Sequence, residues 1–450
     1  MKFIETLKNV WNITELKDRI ILTLGLLLVY RFGAQVVLPG IDASQLGSLA
    51  SNTDSGLLGL LNAFTGGAFA KASVFALGIM PYISASIVVQ LMGIAIPYLQ
   101  KLQKEGASGQ KKITQITRWL TIGICLVQAP AYLASLPSLM GGTQAFTLGQ
   151  SGVFYVSSII ILVTGCIFAM WLGEKITDKG VGNGISLLIM VGIIATMPLS
   201  FAQEFDSAVN QSQGGLIKIL IEIVIWFAII LASVMLVMAV RRIAVQYARR
   251  TTTGSYEKNI MGSRQYIPLK LNASGVMPII FAQAIMFVPG LIGGLDVIKD
   301  SSVGQWLVAN FGGNSMFGFW YNIVFGLLII VFTYFYTAIT VPTNKMADDL
   351  KRSGGFIPGI RPGTETSEFL DKIMSQITLP GSIFLALIAV FPAIIVQIMN
   401  IQAGWALFFG GTSLLIMVGV AIDTMQQINS YLLNKHYDGL MKTGKNRKSI

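Results

Sequence analysis

Three ionisable side chains fall inside long apolar runs of this 450-residue sequence: Arg31, Glu222 and Asp423. Charges placed that way mark ion or proton paths when they sit deep in a bilayer. Here each lies toward the end of its run, and each is read as pairing or reaching out at an interface. No carboxylate falls near the middle of a run, as an ion-coupled carrier would require. The sequence has no phosphate-cradling loop, no HExxH zinc motif and no nucleophile motif. Cys125 and Cys166 lie in apolar runs and give neither a disulfide framework nor a metal set. His436, the one histidine, sits in the polar tail as a solvated residue. No catalytic residue, cofactor or metal is expected, and the chain carries no engine of its own.

The elements around these residues are membrane spans. The chain is 53% hydrophobic and 12% charged, about half the charge of a soluble domain. Runs free of Asp, Glu, Lys and Arg, or interrupted once, cover residues 20–41, 72–100, 119–173, 180–203, 223–240, 271–295, 301–344 and 373–422. Two of these, 119–173 and 373–422, hold two spans each, with breaks at Pro137-Ser138 with Gly141-Gly142 and near Asn400–Gly404. The expectation is an all-α polytopic protein of ten helices. Ten spans put both termini on one side. Alternate connections and both termini then hold 28 of the 32 lysines and arginines, the others being Arg31, Lys71, Lys218 and Lys299. That bias places both termini in the cytoplasm. Residues 1–19 are a charged amphipathic arm with no small-residue cleavage site.

One stretch does not fit a plain span. Residues 56–70 are apolar, too short to cross, and broken at Gly66-Gly67; residues 72–100 follow without a charge. A half-length helix joined through glycines to a full one suggests a segment folded back into a protein-lined cavity, where irregular backbone is tolerated at membrane depth. A second sign is an echo. Gly78-Ile79-Met80-Pro81 in span 2 matches Gly275-Val276-Met277-Pro278 in span 7, five spans later. An odd offset reverses direction, so spans 1–5 and 6–10 read as halves of inverted topology with function between them. Two connections are long and basic: about 241–271, with Arg241, Arg242, Arg249 and Arg250, and about 343–372, with Arg361 at a Gly/Pro-rich tip. They read either as positive-inside bias or as docking for a large partner, RNA included.

Motifs spread over nearly the whole chain carry a resemblance: NAFTGGAFAKAS (62–73), ALGIMPYISASI (76–87), KEGASGQKKI (104–113), GNGIS (182–186), RRIAVQYARR (241–250), IPLKLNASGVMP (267–278), MADDLKRSGGFIPGIRPG (346–363) and FGGTSLLI (409–416). Together they resemble the SecY family, the central subunits of bacterial protein-conducting channels. The resemblance implies two five-helix halves around an hourglass pore. It implies a plug helix over about 57–70, with Leu57, Leu60, Leu61, Phe64, Gly66, Gly67 and Phe69. It implies a pore ring of Ile79, Ile83, Ile189, Ile280 and Ile416, with Ile185 and Val276 as candidates for a sixth position. Branched apolar side chains make an unhydrated constriction that resists ions. They also offer a sliding polypeptide nothing to bond to.

The resemblance further implies a lateral gate with Ser84, Gln128 and Asn272 as polar members. Interhelical polar contacts are weak, about 0.6 kcal/mol, which suits a seam that must part. Arg241, Arg242, Arg249, Arg250 and Arg361 are the implied docking residues for the SecA ATPase or the ribosome. SecE and SecG, and further SecDF and YidC, are implied partners, with signal-bearing secretory and membrane proteins as clients and the plasma (inner) membrane as the site. The division expected is an arm at 1–19, halves at 20–203 and 204–432, and a tail at 433–450. The function implied is translocation of unfolded polypeptides across the membrane and sideways insertion into lipid. The alternative is an inverted-repeat carrier of a small solute, which a buried polar site at the midplane would mark.

Overall fold

The computed structural model describes residues 11, 13–42, 56–139, 152–210, 215–247, 264–293, 301–311, 317–399, 401–409 and 411–445. Its helices are α1 (Thr14–Gly33), α2 (Gly56–Phe64), α3 (Met80–Ala95), α4 (Pro97–Lys104), α5 (Ala107–Leu139), α6 (Gly152–Lys179), α7 (Gly184–Asn210), α8 (Gly215–Met238), α9 (Met277–Gly293), α10 (Ser302–Phe311), α11 (Phe319–Thr340), α12 (Thr343–Arg352), α13 (Thr364–Met399), α14 (Ala403–Ala406) and α15 (Gly411–Lys445). Three strands lie among them: β1 (Val240–Tyr247), β2 (Arg264–Lys270) and β3 (Gly355–Phe356).

Each expected span has its helix: α1, α3, α5, α6, α7, α8, α9, α11, α13 and α15. Among the described residues, 7 helices are long and apolar enough to cross a membrane, or 8 if the pair Met80–Gly93 and Pro97–Gln103, bent by 101°, is one span. The remaining two fall short for visible reasons. The first turns of α1 carry Glu15, Lys17, Asp18 and Arg19, and α9 has 17 residues. The bend follows from Pro97 at the start of α4, which holds Ile96 in an extended conformation. Pro137, expected to break a span, stays inside α5.

Two boundaries differ from the sequence reading. The short helix α2 ends at Phe64 rather than near residue 70, and α3 begins at Met80 rather than 72. Residues 65–79 between them run as consecutive turns. Their backbone is satisfied locally and by the chain after α1: Leu38 N–H donates to Ala72 O at 2.9 Å, Val74 N–H to Val36 O at 2.9 Å and Gly78 N–H to Phe75 O at 2.9 Å. That is how an irregular stretch survives among apolar helices.

The echo between the halves has a structural meaning. Gly78 and Gly275 both take a left-handed conformation, with φ of 54° and 64°, which favours glycine. Two residues later α3 and α9 each begin at a methionine followed by proline. Proline fits the first turn of a helix because its absent N–H would have had no partner there.

The basic connections fold together. β1 pairs antiparallel with β2, with Ile243 opposite Ile267, and β3 joins the other edge of β1 in the order β2-β1-β3. Pro268 is accommodated because β2 is an edge strand. Ile243, Val245 and Leu269 pack with Leu350 of α12 and with Leu370, Ile373 and Met374 of α13. The sequence reading anticipated no sheet there. The main core is one continuous apolar cluster drawn from α1, α2, α3, α6, α7, α8, α9, α11, α13, α14 and α15. α15 is the most enclosed of the spans.

Candidate pore, plug and gate

The expected ring residues all belong to that cluster or pack against it. Ile79 precedes α3, Ile189 lies on α7 and Ile416 on α15; all three are buried members, while Ile83 on α3 and Ile280 on α9 are partly buried against the cluster. Ile185 and Val276 belong to the same cluster, as does Phe64 at the end of α2.

The short helix is seated on α7 backbone to backbone. A Cβ added at Gly192 would lie 2.7 Å from Phe64 O and 3.1 Å from Gly66 N. Small residues permit that approach between membrane helices. Gly66 and Gly67, at φ of 67° and 85°, turn the chain out of α2. The turn is closed by Gly67 N–H donating to Asn62 O at 2.8 Å. Asn62 Oδ1 accepts from Ala70 N–H at 3.0 Å, and Thr65 Oγ1 from Phe69 N–H at 3.1 Å. Tyr132 OH of α5 donates to Phe69 O at 2.9 Å, with its ring 4.9 Å from that of Phe69. Leu61 is half-buried, and Leu57 and Leu60 are on α2 with side chains outside the described set.

A contact with no forerunner in the sequence reading adds to this. Arg31, in the last turn of α1, donates from Nη1 to Gly66 O at 2.8 Å. The other two charges within apolar runs have ionic partners as well. Lys218 Nζ lies 2.9 Å from Glu204 Oε1 and 3.7 Å from Glu222 Oε1, while Glu204 Oε2 accepts from Gln402 N–H at 2.9 Å. Asp423 is 4.0 Å from Lys270.

A cleft of about 460 Å³ divides α3, α4 and α5 from α9 and α11. One wall holds Tyr82, Ser86, Gln90, Gln103, Gln110, Thr114 and Thr117; the other holds Phe281, Phe335, Tyr336 and Thr340. Ser84, Gln128 and Asn272 are not in this lining. Gln128 is exposed on α5, Ser84 is half-buried, and Asn272 is buried before α9, its Oδ1 accepting from Ser274 Oγ at 3.2 Å. The sequence signal for the cleft was present but unused. Ser86 and Gln90 are polar residues one turn apart on an otherwise apolar helix, and Gln90 Nε2 donates to Ser86 Oγ at 3.2 Å. Ile79 and Ile83 face the core from an adjacent face of the same segment.

Arg241 and Arg242 are exposed on β1, and Arg361 is exposed just after β3. Arg361 O accepts from Thr366 Oγ1 at 2.8 Å and its guanidinium lies 3.8 Å from Glu365, so the tip is held while its charge faces solvent. Arg249 and Arg250 lie outside the described residues.

The family model for SecY matches residues 73–425. The chain belongs to the SecY family. A protein translocase subunit SecY from Mycobacterium bovis is 40% identical over 458 residues, covering 98% of this chain and 99% of that one. Among solved structures, a SecY channel whose plug domain is described as stabilising the closed state and maintaining a membrane seal aligns with a TM-score of 0.60 at 17% identity, over 92% of this chain and 91% of that one. Sec61 in the canine ribosome-channel complex aligns with a TM-score of 0.54 at 17% identity, over 92% and 91%. The SecY fold is consistent with the apolar helices described above and with the short α2 packed among them. The chain is a multi-pass membrane protein.

Proposed function

We propose that this chain is the channel subunit of a protein translocase, passing unfolded polypeptides across a bilayer and releasing apolar segments sideways into lipid. One observation carries the reading: residues of α3, α7, α9 and α15 share one apolar core cluster with Phe64 of α2, which ends at a pair of left-handed glycines. Ile79, Ile83, Ile189, Ile280 and Ile416 form the constriction, and the segment 57–70 is its stopper. An apolar throat resists ions by excluding water, and it holds no polar group for a passing chain to lodge against. The halves, residues 20–203 and 204–432, part at the cleft between α3/α5 and α9/α11. The charge bias supports cytoplasmic termini in the plasma membrane, with an arm at 1–19 and a tail at 433–450.

The chain acts without catalysis of its own, and partners supply the work. Arg241 and Arg242 on β1 and Arg361 after β3 are exposed basic groups on connections that share one sheet, fitted to an acidic or phosphate-rich partner such as a translating ribosome or a motor ATPase of the SecA kind. Small membrane subunits of the SecE and SecG kind complete the assembly, and SecDF and YidC are further partners.

Ile416→Asn tests the constriction. An amide in the throat admits water, so precursors with defective signal sequences should be exported at least about tenfold better than through the unmodified channel, a shift on the order of 1.4 kcal/mol. Unchanged stringency in a well-expressed variant would remove Ile416 from the ring. The cleft has its own test. A photo-crosslinker replacing Ser86 should capture the apolar segment of a stalled precursor, while one at the exposed Gln128 should capture it weakly. Equal capture at both would place the exit elsewhere.

A further inference from the structure

We infer that Arg31 is a latch on the plug hinge, a positioning residue that holds the channel shut and sets how stringently it opens. The inference rests on the plug reading of residues 57–70.

The geometry singles out one joint. The segment after the hinge is fixed to the chain following α1 by the hydrogen bonds of Leu38 with Ala72 and of Val74 with Val36, and by Lys71 Nζ donating to Gln35 Oε1 at 2.5 Å. It is fixed to α5 through Tyr132. Among the described residues, α2 lies on the other side of the glycine pair from these ties, held by α7 at Gly192 and by Asn62 with Ala70. Arg31 grips that pivot, donating to Gly66 O at 2.8 Å. Gly66 is also closely packed: a Cβ there would meet Arg31 Nη1 and would come within 2.8 Å of Gly192 Cα. Its φ of 67° is open to glycine and strained for other residues.

The chemistry suits a catch that must release. A carbonyl just past the C-terminal end of a helix carries partial negative charge, and a cation there is favoured. A guanidinium offers five donors, so one can be committed to Gly66 while others stay hydrated. Arg31 is half-buried rather than enclosed. When α2 leaves, water can replace the lost bond, so the latch biases the closed state without locking it. An aliphatic side chain of the same length would fill the space and hold nothing.

The experiment uses the complete translocase in proteoliposomes and in cells, with five channels: unmodified, Arg31→Met, Arg31→Lys, a deletion of residues 57–70, and the deletion combined with Arg31→Met. Resting ion conductance and export of precursors with defective signals are measured. Arg31→Met should raise resting conductance and relaxed export roughly tenfold, the weight of one charge-assisted hydrogen bond. It should add nothing in the deleted channel, because the hinge it holds then carries no stopper. Arg31→Lys, which keeps a donor on a shorter reach, should fall between Met and Arg. A tight Arg31→Met channel beside a leaking deletion would overturn the latch and leave the plug standing. Additive leak in the combined channel would also overturn it, showing that Arg31 acts on packing instead. A deletion that stays sealed would overturn the plug reading and the latch with it. Should Arg31→Met fail to assemble, Arg31→Lys decides: conductance equal to the unmodified channel overturns the latch.

Discussion

Gly192→Val is expected to leave the channel leaking at rest. α7 offers its backbone to the backbone at the end of α2 at this glycine, and neither side can move aside as a flexible side chain would. A Cβ at 192 would stand 2.7 Å from Phe64 O and 3.1 Å from Gly66 N, and valine adds two methyls beyond it. Overpacking of this kind costs about 1–3 kcal/mol. The cost falls on the closed state alone if α2 leaves in the open one. That corresponds to a change of roughly 5- to 150-fold in the balance between them. Resting conductance of reconstituted channels measures it directly. Gly25→Val is the matched control, since nothing lies within 4 Å of the Cβ it would add on α1. A sealed Gly192→Val channel, correctly assembled, would mean that α2 rests elsewhere.

The second large effect is expected at Arg361. Its side chain is 88% exposed, and its ion pair with Glu365 at 3.8 Å is a surface contact worth little to stability. Arg361→Glu should therefore leave thermal unfolding unchanged. The charge stands at the tip of a loop whose backbone is already fixed by Thr366. Reversal turns an attraction for an acidic or phosphate-bearing partner into repulsion, and such surface charges act chiefly on association. Partner-driven translocation should fall about tenfold or more at low salt, with the difference narrowing as salt screens it. Translocation at the unmodified rate would take Arg361 out of the docking surface.

Most of the membrane architecture was readable because lipid forces backbone groups to bond within their own helix, and an apolar run of sufficient length then has one solution. The same rule explains the failure between residues 65 and 79. A stretch enclosed by protein can stay irregular while remaining as apolar as a span, and hydropathy does not separate the two. Gly66, Gly67 and Gly78 carried that information through their left-handed conformations. The isoleucines proposed for the constriction were named through family motifs rather than through chemistry, since an isoleucine in a membrane helix is ordinary in itself. Ser86 and Gln90 line the cleft and Ser84, Gln128 and Asn272 do not; which residues face it depends on helix rotation, which hydropathy does not fix. Arg31 was read as an interface charge, and its partner, 35 residues on, is a backbone carbonyl that no side-chain pattern announces. The sheet was missed for a related reason: β3 is two residues long and finds β1 across more than a hundred positions of chain.

That strand pairing makes a single handle of two loops. α8 runs into β1 almost without interruption, β2 leads through Leu271–Val276 into α9, and Ile280 sits in the first turn of α9. β3 continues into the tip that carries Arg361. A load on that tip passes through one sheet into two helices, α8 and α9; under the function proposed above, it reaches Ile280 through the second of them.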